Sequence, residues 1–419
     1  FIMSTSKFLE HSTELPNGMS KLLTCYNNLG FQEVSSMVNQ LLIHQMESQL
    51  NPNMFNFLKD IGVSAQNSGC RAFLAGGFVR DVILHRKVTD IDIAIQGNAP
   101  NFARQIAAQM GTTITAQSQF GTAKLSVFST TVDFASTRKE TYPKPGELPQ
   151  VEIADLSQDL HRRDFSINAM AIALDSKEFG KLIDPLDGQN DILNKKIRAL
   201  HPASFQDDPT RILRAVRYEQ RLGFELEPVT KGLISKHSKY LHCLSPDRLR
   251  NEFQRIFEET EPGIILSRAT SLGILNEILP GWGWPQETYQ KIRPSDKFGR
   301  KSMFQLLISL LTAHLTPEER ETLINKLNMP THWKKVVRST NDFEQKKRCL
   351  NRTNLFPSKI YSILNGFEIP PLEVWAAVVE EPQIRERIRF YVDVLRHKTP
   401  RLTGNDLVNL GVPPGPKVG

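Results

Sequence analysis

The stretch from Ala72 to Ile95 constrains the fold more tightly than any other part of the chain. An apolar run, Ala72–Ala75, ends on Gly76-Gly77, a helical run follows over Val79–Leu84, and Asp90–Ile95 alternates acid and apolar residues. Glycine permits backbone conformations closed to other residues, so a buried strand can turn there directly into a helix. The alternation marks a half-buried strand. The spacing from Gly77 to Asp90 leaves room for one helix and a return to the same sheet.

Further strands are expected at Lys124–Phe128 and Thr131–Phe134. The proline-rich run Tyr142–Gln150 reads as a loop. Ahead of the glycine turn, Ser35–Leu50 reads as a helix without evident chemistry. Met54–Asn67 has the helical spacing of Phe57, Leu58, Ile61 and Val63. From Asp208 onward helical periodicity takes over, in Pro209–Leu222, Pro228–His237, Asp247–Glu258, Pro262–Leu272, Ser302–Leu315, Pro317–Leu327, Leu372–Val379 and Gln383–His397. No short repeat and no low-complexity tract interrupts it. The chain is therefore expected to be α+β: a mixed β-sheet with helices, followed by an all-helical half.

Three acids fall where such a sheet would gather them. Asp90 and Asp92 lie two apart on a predicted strand, so their side chains share a face. Asp133, flanked by Val132 and Phe134, sits on a neighbouring strand. Adjacent carboxylates repel unless a cation lies between them, and Mg2+ suits oxygen ligands that also bridge to phosphate. Three carboxylates can hold two metal ions, one activating a 3′-hydroxyl and one stabilising a leaving pyrophosphate. Gly76 and Gly77 precede a helix, so backbone and helix N-terminus suit a phosphate. Arg80, one turn into that helix, is a candidate to reach a triphosphate oxygen. Singly, each signal is weak: a DxD is more often a solvated edge and a Gly-Gly more often a plain turn.

Charge fits this chemistry. The 419 residues carry 52 Lys and Arg against 45 Asp and Glu, a net charge of +7. That balance favours an anionic partner such as nucleic acid, although a basic soluble protein would show it too. The four cysteines, Cys25, Cys70, Cys243 and Cys349, are far apart, so neither a zinc site nor a disulfide framework is suggested. No apolar run is long enough for a bilayer and no secretory signal is evident, so a cytoplasmic setting is expected, or an organelle interior. The chain opens on Phe1 and ends on Gly419 after a Pro-Gly-Pro turn, and reads as a fragment.

Five motifs in order carry a resemblance: LAGGFVRDVILHRKVTDIDIAI, RRDFSINAMAI at 162–172, DPLDGQNDI at 184–192, DDPTRILRAVRY at 207–218 and SPDRLRNEF at 245–253. The first resembles the signature of the DNA polymerase beta nucleotidyltransferase superfamily. The others narrow this to the class II, bacterial-type tRNA nucleotidyltransferase and poly(A) polymerase family, strongly over about residues 72–260. The tail at 402–416, LTGNDLVNLGVPPGP, also looks like this family. The resemblance implies a polymerase-beta-like head followed by helical neck, body and tail. We place these at 53–198, 199–262 and 263–419, after an N-terminal helical extension at 1–52. It implies a two-metal transfer of C, A or both from CTP and ATP to the 3′ end of tRNA, with Mg2+ as cofactor. Asp90 and Asp92 match the metal-binding acids, with Asp133 as the third. Arg162, Arg163 and Asp164 match the motif that contacts ribose and triphosphate, and Asp208 and Arg211 the motif that reads the incoming base.

Elementary chemistry gives the last assignment independent sense. Asp208 and Arg211 are i, i+3 on one predicted helix and so are neighbours. A carboxylate accepts hydrogen bonds and a guanidinium only donates them. Cytosine and adenine each offer an amino group beside a ring-nitrogen acceptor, whereas uracil and guanine offer a carbonyl beside an N–H. One Asp–Arg pair can accept the first two bases and reject the others without a template. The alternative is a surface ion pair worth under about 1 kcal/mol. Arg214, Arg217 and Arg221 continue along that helix and suit either phosphate or acids of the head. The segment 138–150 falls where the family has a mobile loop, and its prolines equally fit a stiff connection. Ser245 reads as a helix cap. Basic stretches at Lys334-Lys335, Lys346–Arg348 and Arg385–Lys398 suit an RNA backbone or a solvated helix face.

Several features leave alternatives open. About 70 residues precede the glycine motif, and RYEQRLGF at 217–224 is similar to a longer subgroup that often adds only A. Asp207 stands where Glu is usual. Poly(A) tailing shares the active site, a non-catalytic RNA-binding relative shares the fold, and antibiotic-modifying transferases share only the glycine and DxD motifs. Oligomeric state is not legible.

Overall fold

The computed structural model of the chain describes residues 31–88, 90–118, 120–292, 299–398, 404–411, 413 and 415. It divides into two compact units, Phe1–Leu244 and Ser245–Gly419. The division falls inside the segment 199–262 assigned to a neck.

The strands of the first unit are β1 (Arg71–Ala75), β2 (Ile91–Gln96), β3 (Ile114–Ser118), β4 (Thr122–Val127), β5 (Thr130–Ser136), β6 (Arg138–Thr141), β7 (Gln150–Ile153), β8 (Ala171–Ala173), β9 (Leu182–Ile183) and a short parallel pair, β10 (Lys196–Ile197) with β11 (Glu225–Leu226). Seven form one sheet in the order β3-β4-β5-β2-β1-β8-β9, while β6 and β7 pair apart as a ribbon. Strands β2 and β5 run parallel, in a register that sets Asp92 beside Asp133. The other neighbours in the large sheet run antiparallel. Strands β1 and β2 are central and covered on both faces, so their apolar residues run nearly continuously rather than alternating.

The helices are α1 (Phe31–Gln49), α2 (Pro52–Asn67), α3 (Gly77–Ile83), α4 (Ala99–Gln109), α5 (Leu156–His161), α6 (Gly188–Leu193), α7 (Ser204–Asp207), α8 (Thr210–Leu222) and α9 (Pro228–His237). Capping fixes where they begin. Asn51 accepts the Met54 N–H and Asn98 the Asn101 N–H, each with proline in the first turn. Helix α4 lays Phe102, Ala103 and Ile106 on the sheet, with Phe102 6.0 Å from Phe134. Helix α2 buries Phe57, Leu58 and Ile61, but Val63, expected on that face, is 46% exposed. Gly62 takes the close-approach position instead. A Cβ there would lie 1.8 Å from the carbonyl oxygen of Leu174, so only glycine lets the helix reach the chain after β8.

The segment 138–150 is not simply a loop. Arg138–Thr141 is strand β6, paired with Gln150–Ile153, and the loop is confined to the residues between. Thr137 closes the base of the ribbon: its carbonyl accepts the Ala154 N–H at 3.0 Å, and its hydroxyl donates to the Ala154 carbonyl at 2.6 Å. Nearer the tip, the Gly146 N–H points at the Asp207 carbonyl at 3.4 Å.

The second unit is helical in its described part. Pro246, Pro262, Pro317, Pro357 and Pro382 each open a helix, where the missing N–H costs nothing. Ser245 caps the first, accepting the Arg248 N–H at 3.4 Å. Thr316 and Glu319 form a reciprocal capping box. The longest helix, Thr331–Leu350, was missing from the expected set, as was Pro357–Leu364. Its apolar residues, Trp333, Val336, Val337, Phe343 and Leu350, sit at helical spacing among many charges that dilute the pattern. Phe343 and Leu350 feed a core in which Phe343 stacks on Trp375 with ring centroids 4.2 Å apart. No helix among the described residues is long and apolar enough to cross a membrane. Cys70, Cys243 and Cys349 carry free thiols.

Candidate active site

The glycine turn is the floor of the site. Gly76 has φ +71°, a conformation that favours glycine, and α3 starts immediately after it. A Cβ at Gly76 would stand 2.6 Å from Nη1 of Arg163, so the guanidinium lies directly over the turn. Arg163 also donates to Asp159 at 2.9 Å and brings positive charge to Asp92.

Asp92 and Asp133 occupy neighbouring positions on β2 and β5. Asp90 precedes β2 and is exposed. Burial pushes the Asp92 carboxyl above the usual range, Arg163 pulls it down, and the charges of Asp133 and Asp90 push it up again. Asp92 thus senses both other acids. Asp133 also binds the Lys124 ammonium at 2.7 Å. Among the described residues no three acid, histidine or cysteine side chains are drawn together closely enough to hold a metal ion. The donor set still fits a hard cation: two carboxylates side by side, a third within electrostatic reach, and repulsion that a divalent ion would relieve.

Arg80 is corrected. It is 3% exposed, its Nε and Nη2 donate to Asp81 at 2.9 and 2.8 Å, and its Nη1 donates to Asn168 at 2.6 Å. A side chain locked in this way braces the glycine helix and is not directed at a triphosphate. Gly77 lies beneath it, 3.4 Å from Nη2 if a Cβ is added.

The Arg162–Asp164 segment follows α5 and is tied on every side. Asp159, on α5, accepts from Arg162 at 2.7 Å and from Arg163 at 2.9 Å. Burial opposes its ionisation, but the two guanidiniums keep its carboxyl below the usual range. Glu140 on β6 accepts from Arg138, from Arg162 at 2.8 Å and from the Tyr142 hydroxyl at 2.8 Å. Asp164 is 8% exposed and holds Arg214 at 2.5 Å, Asn168 at 3.0 Å and the Phe165 N–H at 2.9 Å. Burial alone would raise its carboxyl; Arg214 and Asn168 outweigh it and hold the value at about 2.

That value has a consequence for stability. A carboxyl whose folded value is depressed stabilises the fold above its unfolded value and loses that stabilisation as pH falls through the folded one. Asp164→Asn is expected to cost about 1–3 kcal/mol at pH 7, because it takes the half-buried Arg214 away from its buried acid. The gap from the parent protein should narrow between about pH 4 and pH 2. Urea unfolding at pH 7 and pH 3 measures it; a gap that stays constant rejects the ion pair as its origin.

Asp208 and Arg211 do not share a helix. Asp208 stands extended between α7 and α8, and its Oδ1 accepts the Thr210 N–H at 3.0 Å and the Thr210 hydroxyl at 2.6 Å. Asp208 therefore closes a side-chain turn onto Thr210 just ahead of α8, which its Asp-Pro-Thr sequence allows. Arg211, 5% exposed, donates Nη1 to Ser204 at 2.8 Å and Nη2 to the Arg162 carbonyl at 2.6 Å. The two side chains are oriented by different partners rather than by each other. The Tyr142 hydroxyl is near enough for both to act on it electrostatically.

Arg217 is buried and Arg221 exposed, and with Arg80 and Arg214 they surround the ring of Tyr218. The motif reading had singled out neither Tyr218, Asn168, Asp159, Glu140 nor Lys124. Asn168 and Tyr218 lie inside motifs quoted for other residues, and Asp159 lies one helical turn ahead of the paired arginines.

The chain is similar to known proteins over most of its length. The model of the poly(A) polymerase head domain matches residues 72–198, and that of a probable RNA- and SrmB-binding site of polymerase A matches residues 223–283. An A-adding tRNA nucleotidyltransferase from Geobacter sulfurreducens is 34% identical over 396 residues, covering 90% of this chain and 45% of that protein. The chain thus spans less than half the length of that curated relative. An A-adding tRNA nucleotidyltransferase from Halalkalibacterium halodurans is 29% identical over 380 residues, 90% of this chain and 88% of its own. Among solved structures, an apo form of a CCA-adding enzyme superposes with a TM-score of 0.76 at 27% identity, covering 90% of this chain and 91% of that one.

Proposed function

We propose that the chain is a class II tRNA nucleotidyltransferase that adds A, C or both to the 3′ end of tRNA without a template, a reading supported by the matched head-domain model and by the named relatives. The terminal 3′-oxygen attacks the α-phosphorus of ATP or CTP. The new O–P bond forms as the bond to the β-phosphate breaks, pyrophosphate leaves, and the hydroxyl proton is lost.

The observation that carries this reading is the placement of Asp92 and Asp133 side by side, with Arg163 acting on Asp92 from over the glycine turn. Family members work with divalent cations, and we assign Asp90, Asp92 and Asp133 to hold Mg2+. When bound, Mg2+ would supply charge neutralisation at the attacking and leaving oxygens. The remaining work belongs to the chain. Gly76 and Gly77 let the backbone approach phosphate, and Arg163 offers it positive charge. Asp164 is held by Arg214 and Asn168, so the segment bearing Arg163 cannot drift. Ser204 and the Arg162 carbonyl fix the plane of Arg211, and Thr210 fixes the Asp208 carboxylate. A fixed acceptor and a fixed donor suit cytosine and adenine and leave uracil and guanine with mismatched groups. Basic helices of the second unit suit the tRNA backbone.

Relatives at 29–34% identity over 78–90% of the chain are A-adding enzymes, while CCA-adding enzymes align over 88% of it at 26–27%, so A addition is the step to test first. Three tRNAs, ending at the discriminator base, at C and at CC, are supplied with ATP or CTP. Extension of the tRNA ending in CC by ATP is expected. Added CTP products on the shorter two would identify CC or CCA addition, an extended unstructured RNA would point to poly(A) tailing, and no product with any primer rejects the enzyme.

A further inference from the structure

Four guanidiniums approach one tyrosine. The ring centroid of Tyr218 lies 5.2 Å from Arg80, 5.5 Å from Arg214, 5.5 Å from Arg217 and 6.0 Å from Arg221. Three of the arginines flank Tyr218 on α8; Arg80 arrives from α3. The ring is 9% exposed and takes the edge of Phe165 at 5.9 Å and 81°. Such crowding of like charge would push the cations apart. Asp81 and Asp164 answer Arg80 and Arg214, and the negative face of the ring attracts cations placed over it.

The contacts close into a circuit. Arg80 rests at Tyr218 and donates to Asn168; Asn168 donates to Asp164; Asp164 binds Arg214; Arg214 returns to Tyr218, its Nη2 3.4 Å from the hydroxyl. Three separate segments meet in it: the glycine helix, the segment after Arg163, and α8. Arg163 directly precedes Asp164, and Arg211 lies one turn ahead of Arg214. The circuit therefore spaces the phosphate turn relative to the arginine assigned to base reading. A base can be discriminated only if its triphosphate and its pairing edge are held at one fixed separation.

We propose that Tyr218 is a positioning residue for nucleotide selection, its aromatic face closing the circuit that sets Arg163 and Arg211 at a common spacing. The inference rests on the reading of the site as a nucleotidyltransferase centre. Tyr218 touches neither nucleotide nor RNA in this role. Its face is the working part, because the guanidiniums that meet its hydroxyl, Arg80 and Arg214, are already held by Asp81 and Asp164.

Tyr218→Phe, Tyr218→Leu and Tyr218→Met would be compared with the parent protein by kcat/KM for ATP, CTP, GTP and UTP on tRNA primers, with thermal melting alongside. Tyr218→Phe should keep KM and the preference for ATP or CTP within about threefold. The two non-aromatic variants should raise the nucleotide KM and lower that preference by about tenfold each. Variants that lose rate for all four nucleotides equally, or that keep the parental preference, overturn the proposal. If neither non-aromatic variant folds, Tyr218 is a structural residue and the proposal fails. A parent protein that adds no nucleotide sinks the functional reading itself, and the positioning role with it.

Discussion

Asp92→Ala should reduce nucleotide addition by at least about 10³-fold, equivalent to about 4 kcal/mol of lost transition-state stabilisation. Asp92 is the best enclosed of the three acids and the one that registers both others as charge. Removing it leaves Asp133 paired with Lys124 and Asp90 exposed, neither of which faces a second carboxylate across the β2–β5 pair. Two acids that no longer face each other hold a divalent ion poorly. The fold should not suffer. Asp92 is half-buried among like charges, so its ionised form works against the native state, and Asp92→Asn relieves that repulsion. Thermal melting with a chelator present should therefore show a transition equal to or above that of the parent protein. Binding of tRNA, measured by filter retention, should be nearly unchanged, since the basic helices of the second unit are untouched. Retained transfer would reject the metal role. Lost transfer together with a lower melting point would mean that Asp92 was structural.

The sequence announced the backbone of this site better than its side-chain partners. Strand β1, the glycine turn, α3 and β2 were legible because each carries its own signal: an apolar run, a φ that suits glycine, helical spacing, acid–apolar alternation. Asp133 is expected on a strand neighbouring that of Asp92, and only the register that sets the two acids side by side is not legible, because register between distant strands is set in three dimensions. Arg80 misled for a related reason. Position on a helix says where a guanidinium starts and not which acid it meets, and Asp81, the next residue, captures it. Asp208 misled because Asp-Pro-Thr has helical neighbours and yet stands extended, turned onto Thr210. The ribbon β6–β7 was hidden by its prolines, and Thr331–Leu350 by its charges. In each case tertiary partners decided what local propensity left balanced.

Arg211→Ala should weaken selection among nucleotides more than it weakens the fold. The side chain is buried, yet the groups it bonds are a serine hydroxyl and a backbone carbonyl, both of which water can satisfy in the space vacated. A charge-assisted hydrogen bond contributes about 1.5–3 kcal/mol, so losing the donor that meets the ring nitrogen of cytosine or adenine should lower kcat/KM for CTP or ATP by about ten- to a hundredfold. UTP and GTP present an N–H at that point, which Arg211 repels in the parent protein and alanine does not. Their rates should fall little or rise, so the preference contracts from both sides. Arg211→Lys separates charge from geometry. It restores the cation but not two donors in one plane, and the Arg162 carbonyl and Ser204 hydroxyl can no longer set its direction. If lysine recovers nucleotide binding without recovering preference, selection lies in the held plane of the guanidinium. If alanine and the parent protein discriminate equally, base choice must be sought elsewhere, and the carboxylate of Asp208, fixed by Thr210, is the next group to vary.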